Sequence, residues 1–253
     1  MKDAAKLYYN KTAEFFQEFS KCIKIHISID ETKMDNFENT LFEEKKMFIP
    51  LQNKDERECK WLTIGVGEVT GAERKFKEMY PNCAVFGVEP DKNRQGNFSK
   101  IGKIMSFGVG LENTISDVVV LEKDWVHRKS KVVSLPNLLD EYLHTRFVHY
   151  LTIDIEGFEY RILEALVSSN GKFVNEGITF CQIDAELHNI QMSTVHSAVK
   201  DLNPVQFILD FLHDSSPYIP IFNVPYIAHQ KVTFINIKDQ DCENAFKFSK
   251  YLQ

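Results

Sequence analysis

Apolar strand patterns alternate with amphipathic helix patterns from Trp61 onward, and this alternation constrains the fold more than any other feature. The runs WLTIGVG, AVFGVEP, VHYLTIDI and GITFCQIDAEL are typical of strands, whereas TGAERKFKEMY, LPNLLDEYLH, FEYRILEALVSS and PVQFILDFLHDS are typical of helices. Parallel neighbouring strands need a helical crossover, so the pattern predicts a mostly parallel sheet with helices on both faces. We expect KIMSFGVG to add another strand and SDVVVLEKDW a hairpin.

Two extended runs near the end of the chain, YIPIFNV and KVTFINI, are joined by only a few residues around Pro225. A connection this short permits an antiparallel pair of strands but not a parallel pair. The segment CENAFKFSKYL that follows is expected to form a short closing helix.

The N-terminal part has a different pattern. Apolar residues recur at helical spacing between Lys2 and about Lys24, which predicts one amphipathic helix. The polar stretch that follows reads as a linker around a short helix near Phe37 to Lys46. We therefore divide the chain into a helical cap and linker, residues 1–59, and an α/β domain, residues 60–253.

Charge and cysteine content exclude several classes of protein. Thirty Lys and Arg residues against 36 Asp and Glu residues give a net charge of -6, which disfavours nucleic acid as a partner. No apolar run approaches the ~18 residues of a membrane span. The five cysteines are odd in number and form no CxxC motif, which argues against a disulfide framework and against a zinc site. A reducing compartment, and hence a cytoplasmic location, is the prediction.

The first candidate binding feature is a glycine loop between a strand and a helix, LTIGVGEVTGAE. Gly65, Gly67 and Gly71 do not make a dinucleotide GxGxxG motif, because Thr70 occupies the third position. Taken alone, such glycines are more often a plain turn. Glu89 changes this interpretation, because it ends the next strand 22 positions beyond Gly67, where an acidic side chain can accept the ribose hydroxyls of a nucleotide.

The second feature is the acidic end of the strand in YLTIDIEGFEY. If the strand stays extended as far as Gly157, Asp154 and Glu156 project from the same face. Ligands of open α/β sheets bind outside the carboxyl ends of the strands, so both acids are expected near the glycine loop. Glu159 falls in the first turn of the following helix, where the helix dipole stabilises a carboxylate, and a structural role is expected for it.

The neighbouring strand repeats this arrangement in CQIDAELHN. Asp184, Glu186 and His188 share one face by the same period of two, and neighbouring strands are ~4.8 Å apart, so they are expected to meet Asp154 and Glu156. Such a cluster can hold a divalent metal, act as a general base, or orient a substrate hydroxyl or amine. One or two of these five residues are expected only to cap strand ends.

These motifs together carry a family resemblance. LTIGVG, GVEPD, VVSLPNLLDEYL, YLTIDIEGFEYRILEAL and CQIDAELH resemble the FkbM-type S-adenosylmethionine-dependent methyltransferases, particularly the branch abundant in nematodes. The resemblance spans about Trp61 to Ile237. It implies that residues 60–253 form a Rossmann-like domain of the class I methyltransferase type, with a seven-stranded, mostly parallel sheet whose last pair is antiparallel.

The resemblance also implies where the cofactor lies. S-adenosylmethionine is expected over the glycine loop with its ribose on Glu89, its adenine near the segment FGVG, and its methyl group toward Asp154 and Glu156. The expected cofactor-binding residues are Gly65, Val66, Gly67, Glu89, Pro90, Val109, Gly110 and Asp154. The family usually has an acidic residue two positions before the first glycine, where this chain has Thr63, so Asp154 or Glu156 is expected to contact the methionine amino group instead.

The function predicted is methyl transfer to an oxygen or nitrogen atom of a small molecule. Asp154 and Glu156 are expected to position the acceptor, and Glu186 or His188 to act as base. A divalent metal is compatible with the acids, but no motif supports one and no metal ligand is assigned. Two alternatives stay open: an NAD-dependent oxidoreductase, and a methyltransferase-like protein that binds a partner without catalysis. The partner is expected to be a small molecule rather than a nucleic acid or a membrane, and the sequence does not predict an oligomeric state.

Overall fold

The computed structural model describes residues 1–39, 44–53, 58–168 and 170–252. The described strands are β1 (Asp35–Asn36), β2 (Met47–Phe48), β3 (Lys60–Ile64), β4 (Ala84–Val88), β5 (Lys103–Met105), β6 (Gly108–Gly110), β7 (Thr114–Leu121), β8 (Trp125–Ser134), β9 (Phe147–Ile153), β10 (Thr179–Leu187), β11 (Tyr218–Tyr226) and β12 (His229–Asn236). The described α-helices are α1 (Lys2–Tyr8), α2 (Thr12–His26), α3 (Gly71–Met79), α4 (Leu135–Leu138), α5 (Glu159–Val167), α6 (Pro204–Phe211) and α7 (Gln240–Phe246).

The central element is a seven-stranded sheet with the spatial order β11-β12-β10-β9-β3-β4-β5. The pairs β10–β9, β9–β3, β3–β4 and β4–β5 are parallel, whereas β12 runs antiparallel to both of its neighbours. The predicted mixed α/β class with a large, mostly parallel sheet is confirmed. The two C-terminal strands are antiparallel to each other, but only β12 opposes the direction of the parallel strands.

A second, three-stranded sheet with the order β6-β8-β7 lies outside the prediction. The run KIMSFGVG, expected to be one strand, contains β5 in the central sheet and β6 in this smaller sheet. Two glycines in β6 allow this strand to pair within the smaller sheet. A Cβ on Gly108 would lie 2.9 Å from Val118 Cγ1, and a Cβ on Gly110 would lie 2.6 Å from Val132 Cγ1. The backbone of β6 can therefore approach the β7–β8 hairpin closely.

The predicted N-terminal helix is two helices, α1 and α2. The chain turns between them, where the Lys11 N–H donates to the Tyr8 carbonyl at 2.8 Å. The apolar face of α2 packs on the sheet, and the Ser20 hydroxyl donates to Asn223 Oδ1 of β11 at 2.6 Å. Leu7, which fitted the single-helix pattern, is exposed. The apolar spacing is thus interrupted at the turn.

The short helix predicted near Phe37 to Lys46 is absent from the described residues of that segment, and the prediction is wrong for them. Residues 40–43 lie outside the described residues, and the segments on either side pair as the antiparallel strands β1 and β2. Phe37 and Phe48 are fully buried against Trp61, at ring-centroid distances of 5.5 and 5.3 Å. These aromatic contacts favour the extended pair over a helix. The division at residues 59 and 60 stays a prediction.

Four of the five cysteines are paired, contrary to the sequence prediction. Cys59 bonds Cys83 and Cys181 bonds Cys242, with 24 and 61 positions between the partners, while Cys22 is free. The sheet brings together cysteines that are far apart in sequence, which the count and the spacing do not show. Disulfides persist mainly in oxidising compartments, so the predicted cytoplasmic location loses its main support. Among the described helices, none has the length and apolar character needed to cross a membrane.

Candidate functional site

A cavity of about 530 Å³ opens at the carboxyl ends of β3, β4 and β9. Its volume lies within the ~300–1,000 Å³ typical of cofactor and small-molecule sites. Its walls come from the glycine loop, the end of β4, the turn after β9 and the three-stranded sheet. The lining includes all the residues predicted to bind the cofactor, namely Gly65, Val66, Gly67, Glu89, Pro90, Val109, Gly110 and Asp154.

The glycine loop has a backbone that other residues rarely adopt. Gly65 has φ +86°, and a Cβ there would lie 1.7 Å from the carbonyl oxygen of Asp154. Gly67 has φ +60°, and a Cβ there would have no neighbour within 4 Å. Gly65 thus permits the close approach of two strand ends. Gly67 leaves an open surface on which a ligand can rest.

Glu89 is buried beside this loop. Its Oε2 accepts the Gly67 N–H at 3.3 Å, and its Oε1 accepts the Asp91 N–H at 2.9 Å. Burial raises the pKa of Glu89 to about 7, against the opposing effect of these hydrogen bonds. The backbone bonds fix the carboxylate at the cavity wall, where it can accept the two hydroxyls of a ribose.

Thr63 faces away from the cavity. It accepts the Trp61 indole N–H at 2.8 Å and donates to Glu73 Oε1 at 2.9 Å. Glu73, in the first turn of α3, is buried, and burial raises its pKa. Glu73 thus places a buried carboxyl group beside position 63, outside the cavity lining. An acid at position 63 would bury a second carboxyl beside Glu73.

The turn after β9 brings Asp154 and Glu156 together in an unexpected way. The prediction kept the strand extended to Gly157, but β9 ends at Ile153, and Glu156 and Gly157 have φ values of +55° and +96°. The two carboxylates therefore converge through a tight turn and not through strand alternation. A non-glycine residue with positive φ is uncommon, and such residues cluster at functional sites.

His188 is the point on which these carboxylates converge. Its Nε2 lies 3.2 Å from Glu156, 3.7 Å from Asp154 and 3.8 Å from Glu186. Its Nδ1 lies 3.0 Å from Glu159. Burial opposes the charged imidazolium, but the surrounding carboxylates raise the pKa of His188 well above its usual range. The predicted meeting of Glu186 and His188 with Asp154 and Glu156 is thus present.

Glu159 holds this arrangement in place. Its fully buried carboxylate accepts the Gly157 N–H at 2.9 Å, the His188 N–H at 3.1 Å and the contact from His188 Nδ1. The expected structural role is therefore present and is wider than a helix-dipole interaction, because Glu159 fixes both the turn and the histidine ring.

Asp184 does not join this cluster. Its carboxylate lies 2.8 Å from Lys231 Nζ, which also lies 2.8 Å from Glu44. Lys46 contacts the same Glu44 at 2.6 Å. Burial opposes ionisation, but the two lysines hold the pKa of Glu44 well below its usual range. Asp184 thus belongs to a buried ion-pair network behind the site.

The candidate catalytic residues occupy two layers. Asp154 and Glu156 line the cavity, whereas Glu186 and His188 lie behind them and are buried. Burial raises the pKa of Glu156 to about 7 and, together with the Asp154 charge, that of Glu186 to about 8. Of the four, Asp154 and Glu156 can contact a bound molecule directly.

One part of the cavity wall was not predicted. It includes Asp117 and Trp125 of the β7–β8 hairpin, together with His196. His196 Nδ1 accepts the Ala198 N–H at 3.1 Å, so its Nε2–H donates to the Asp117 carbonyl, also at 3.1 Å. This bond attaches the hairpin to the segment that packs on the Glu156 turn. The sequence predicts the hairpin, but no motif places it over the cavity.

Comparison with known proteins identifies the family. The family model of the methyltransferase FkbM domain matches residues 44–216, well over half of the chain. No curated protein matches the chain. A crystal structure of a mutant 16S rRNA (adenine(1408)-N(1))-methyltransferase from Catenulisporales acidiphilia is similar at 12% identity and a TM-score of 0.38, covering 74% of this chain and 89% of that chain. On the family match, the chain belongs to the FkbM methyltransferase domain family.

Proposed function

We propose that this protein transfers the methyl group of S-adenosylmethionine to an oxygen or nitrogen atom of a small molecule, with oxygen as the favoured atom. The observation that carries the proposal is one cavity whose wall runs from the glycine loop and Glu89 to Asp154 and Glu156. The family match supports methyl transfer in general.

The chain offers a fitting place for each part of the cofactor. Gly67 leaves room over the loop, and Glu89 presents a fixed carboxylate for the ribose. Val109 and Gly110 line the same cavity as Glu89 and offer an apolar surface on which an adenine ring can pack. Asp154, whose side chain is 36% exposed, is within the cavity wall and can accept a bond from the methionine amino group.

The chemistry left to the protein is modest. A sulfonium supplies an already reactive methyl group, so the residues have to align the acceptor atom and take up one proton. Glu156 is the carboxylate in the cavity wall that is best placed to orient an acceptor hydroxyl. Trp125 and apolar residues of the hairpin line the same cavity, where they can pack against a bound acceptor.

Isothermal titration with S-adenosylhomocysteine tests the proposal. Saturable binding is expected for the parent, with at least tenfold weaker binding for Glu89→Ala and no change for Glu78→Ala, an exposed acid on α3. Absence of binding at high micromolar ligand would refute cofactor use. Fluorescence enhancement of NADH in its place would favour an oxidoreductase, and no binding of either ligand would favour a partner-binding role.

A further inference from the structure

His188 is shared by two groups of potential metal ligands. Asp154, Glu156 and His188 form one group and Glu186, His188 and His229 form another, and the ligand atoms within each group lie within 4.8 Å of one another. Around His188 Nε2 alone, carboxylate oxygens of three residues lie between 3.2 and 3.8 Å. Ligand atoms bound at ~2.1 Å to one ion are roughly 3.0–3.4 Å apart, so these separations are close to those of a single coordination sphere.

The other ring nitrogen is already fixed. Nδ1 lies 3.0 Å from Glu159 Oε1 and 3.1 Å from the Glu186 carbonyl oxygen, both of which are acceptors. Nδ1 therefore carries the hydrogen, and Nε2 faces the carboxylates. Metal-ligating histidines commonly donate their second N–H to a carboxylate or a carbonyl in this way, which sets the ring orientation and the tautomer.

Glu186 gives an independent indication. Its side chain is only 7% exposed, and among the described residues its carboxylate accepts no hydrogen bond. The two nearest cationic groups, His188 Nε2 and Lys231 Nζ, are 3.8 and 3.9 Å away. Lys231 is engaged more closely by Asp184 and Glu44, both at 2.8 Å. A buried ionised carboxylate without close partners is costly, and either a proton or a bound cation offsets that cost.

The excess of carboxylates around His188 also favours a bound cation. Three carboxylates, from Asp154, Glu156 and Glu186, face one imidazole, and Glu159 adds a fourth behind it. When all four carboxylates are ionised, even a protonated His188 leaves this group negative. The backbone of Glu156, with φ +55°, directs its carboxylate into the cluster in spite of the conformational cost.

We propose that His188 Nε2, Asp154, Glu156 and Glu186 bind a divalent transition-metal ion at the base of the cavity. One imidazole nitrogen with carboxylate oxygens suits Mn²⁺, Fe²⁺ or Zn²⁺ better than Mg²⁺ or Ca²⁺, which take oxygen ligands. The ion-binding site does not depend on methyl transfer. Its role in holding an acceptor oxygen beside Asp154 and Glu156 rests on the proposed function.

Manganese binding to the full chain tests the site. After treatment with a chelator and removal of the chelator, EPR titration with Mn²⁺ is expected to show one bound ion per chain, and pulsed EPR to show coupling to an imidazole nitrogen. Glu186→Gln should weaken binding roughly tenfold or more, and His188→Gln should remove the nitrogen coupling. Glu176→Gln, at an exposed ion pair with Arg146, should change neither signal.

Circular dichroism and a thermal melt establish that each variant is folded, and Glu186→Asp provides a smaller change if Glu186→Gln is unfolded. Intermediate Mn²⁺ affinity in Glu186→Asp would support the site. No bound Mn²⁺, or bound Mn²⁺ without nitrogen coupling in the parent, would overturn it. S-adenosylhomocysteine titration of the same samples separates the two proposals, since loss of either kind of binding leaves the other measurable.

Discussion

Glu89 gives the sharpest prediction, because one carboxylate should make cofactor binding and stability respond to pH in opposite directions. Only the ionised carboxylate can accept both ribose hydroxyls. Burial raises the pKa of Glu89 to about 7, so the ionised fraction should rise from about one tenth at pH 6 to about nine tenths at pH 8. The affinity for S-adenosylhomocysteine should therefore rise about tenfold over this range, which corresponds to ~1.4 kcal/mol of binding free energy.

The folding stability that Glu89 contributes should fall as the pH rises. The pKa of Glu89 in the folded protein lies above the ordinary glutamate value, so the folded state holds a proton that the unfolded state has released. The contribution of Glu89 to stability is full below the unfolded pKa and is lost as the pH rises through about 7. Glu89→Gln removes this titration, so its melting temperature relative to the parent should increase between pH 5 and pH 8.

Calorimetric titration of the parent and Glu89→Gln at pH 6, 7 and 8 provides the assay, with melting curves on the same samples. Glu89→Gln should bind weakly and with little pH dependence. If the parent affinity is constant from pH 6 to pH 8, or if Glu89→Gln keeps the full pH dependence of the parent, then Glu89 is not the ribose-binding carboxylate.

Three further predictions concern buried groups. Glu159→Ala should lower the free energy of unfolding by roughly 3–5 kcal/mol in urea denaturation, because His188 Nδ1–H and two backbone N–H groups lose their buried acceptor; a loss below ~1 kcal/mol would contradict this. Glu73→Gln should match the parent melting temperature at pH 5 and exceed it at pH 9, because burial raises the pKa of Glu73 and its stabilising effect is lost as pH rises; equal values at both pH values would count against it. Replacing Cys59 and Cys83 together by serine should cost about 3 kcal/mol in non-reducing urea denaturation, and an unchanged midpoint would mean that the thiols are not bonded.

Much of the fold follows from local pattern. The strand and helix runs after Trp61 predict the parallel sheet, because apolar periodicity and crossover length are properties of short segments. The break between α1 and α2 and the β1–β2 pair were missed for the opposite reason. Their conformations depend on contacts with distant residues, such as Trp61 against Phe37, which local propensity does not contain.

The candidate site also combines features that local sequence predicts with features that it does not. Gly65, Glu89 and Asp154 stand at strand ends, and the sheet topology alone places them beside one cavity. The left-handed backbone of Glu156 and the attachment of the hairpin through His196 were outside prediction. A single positive φ or one side chain to carbonyl bond leaves no periodic trace in a sequence.

The two disulfides lie away from the cavity. Cys59 and Cys83 come immediately before β3 and β4, and Cys181 is near the start of β10, whereas the cavity is at the opposite ends of the strands. The covalent cross-links and the cavity thus lie at opposite edges of the central sheet. Substitutions at the cysteine edge can therefore change the stability of the protein without replacing any residue that lines the cavity.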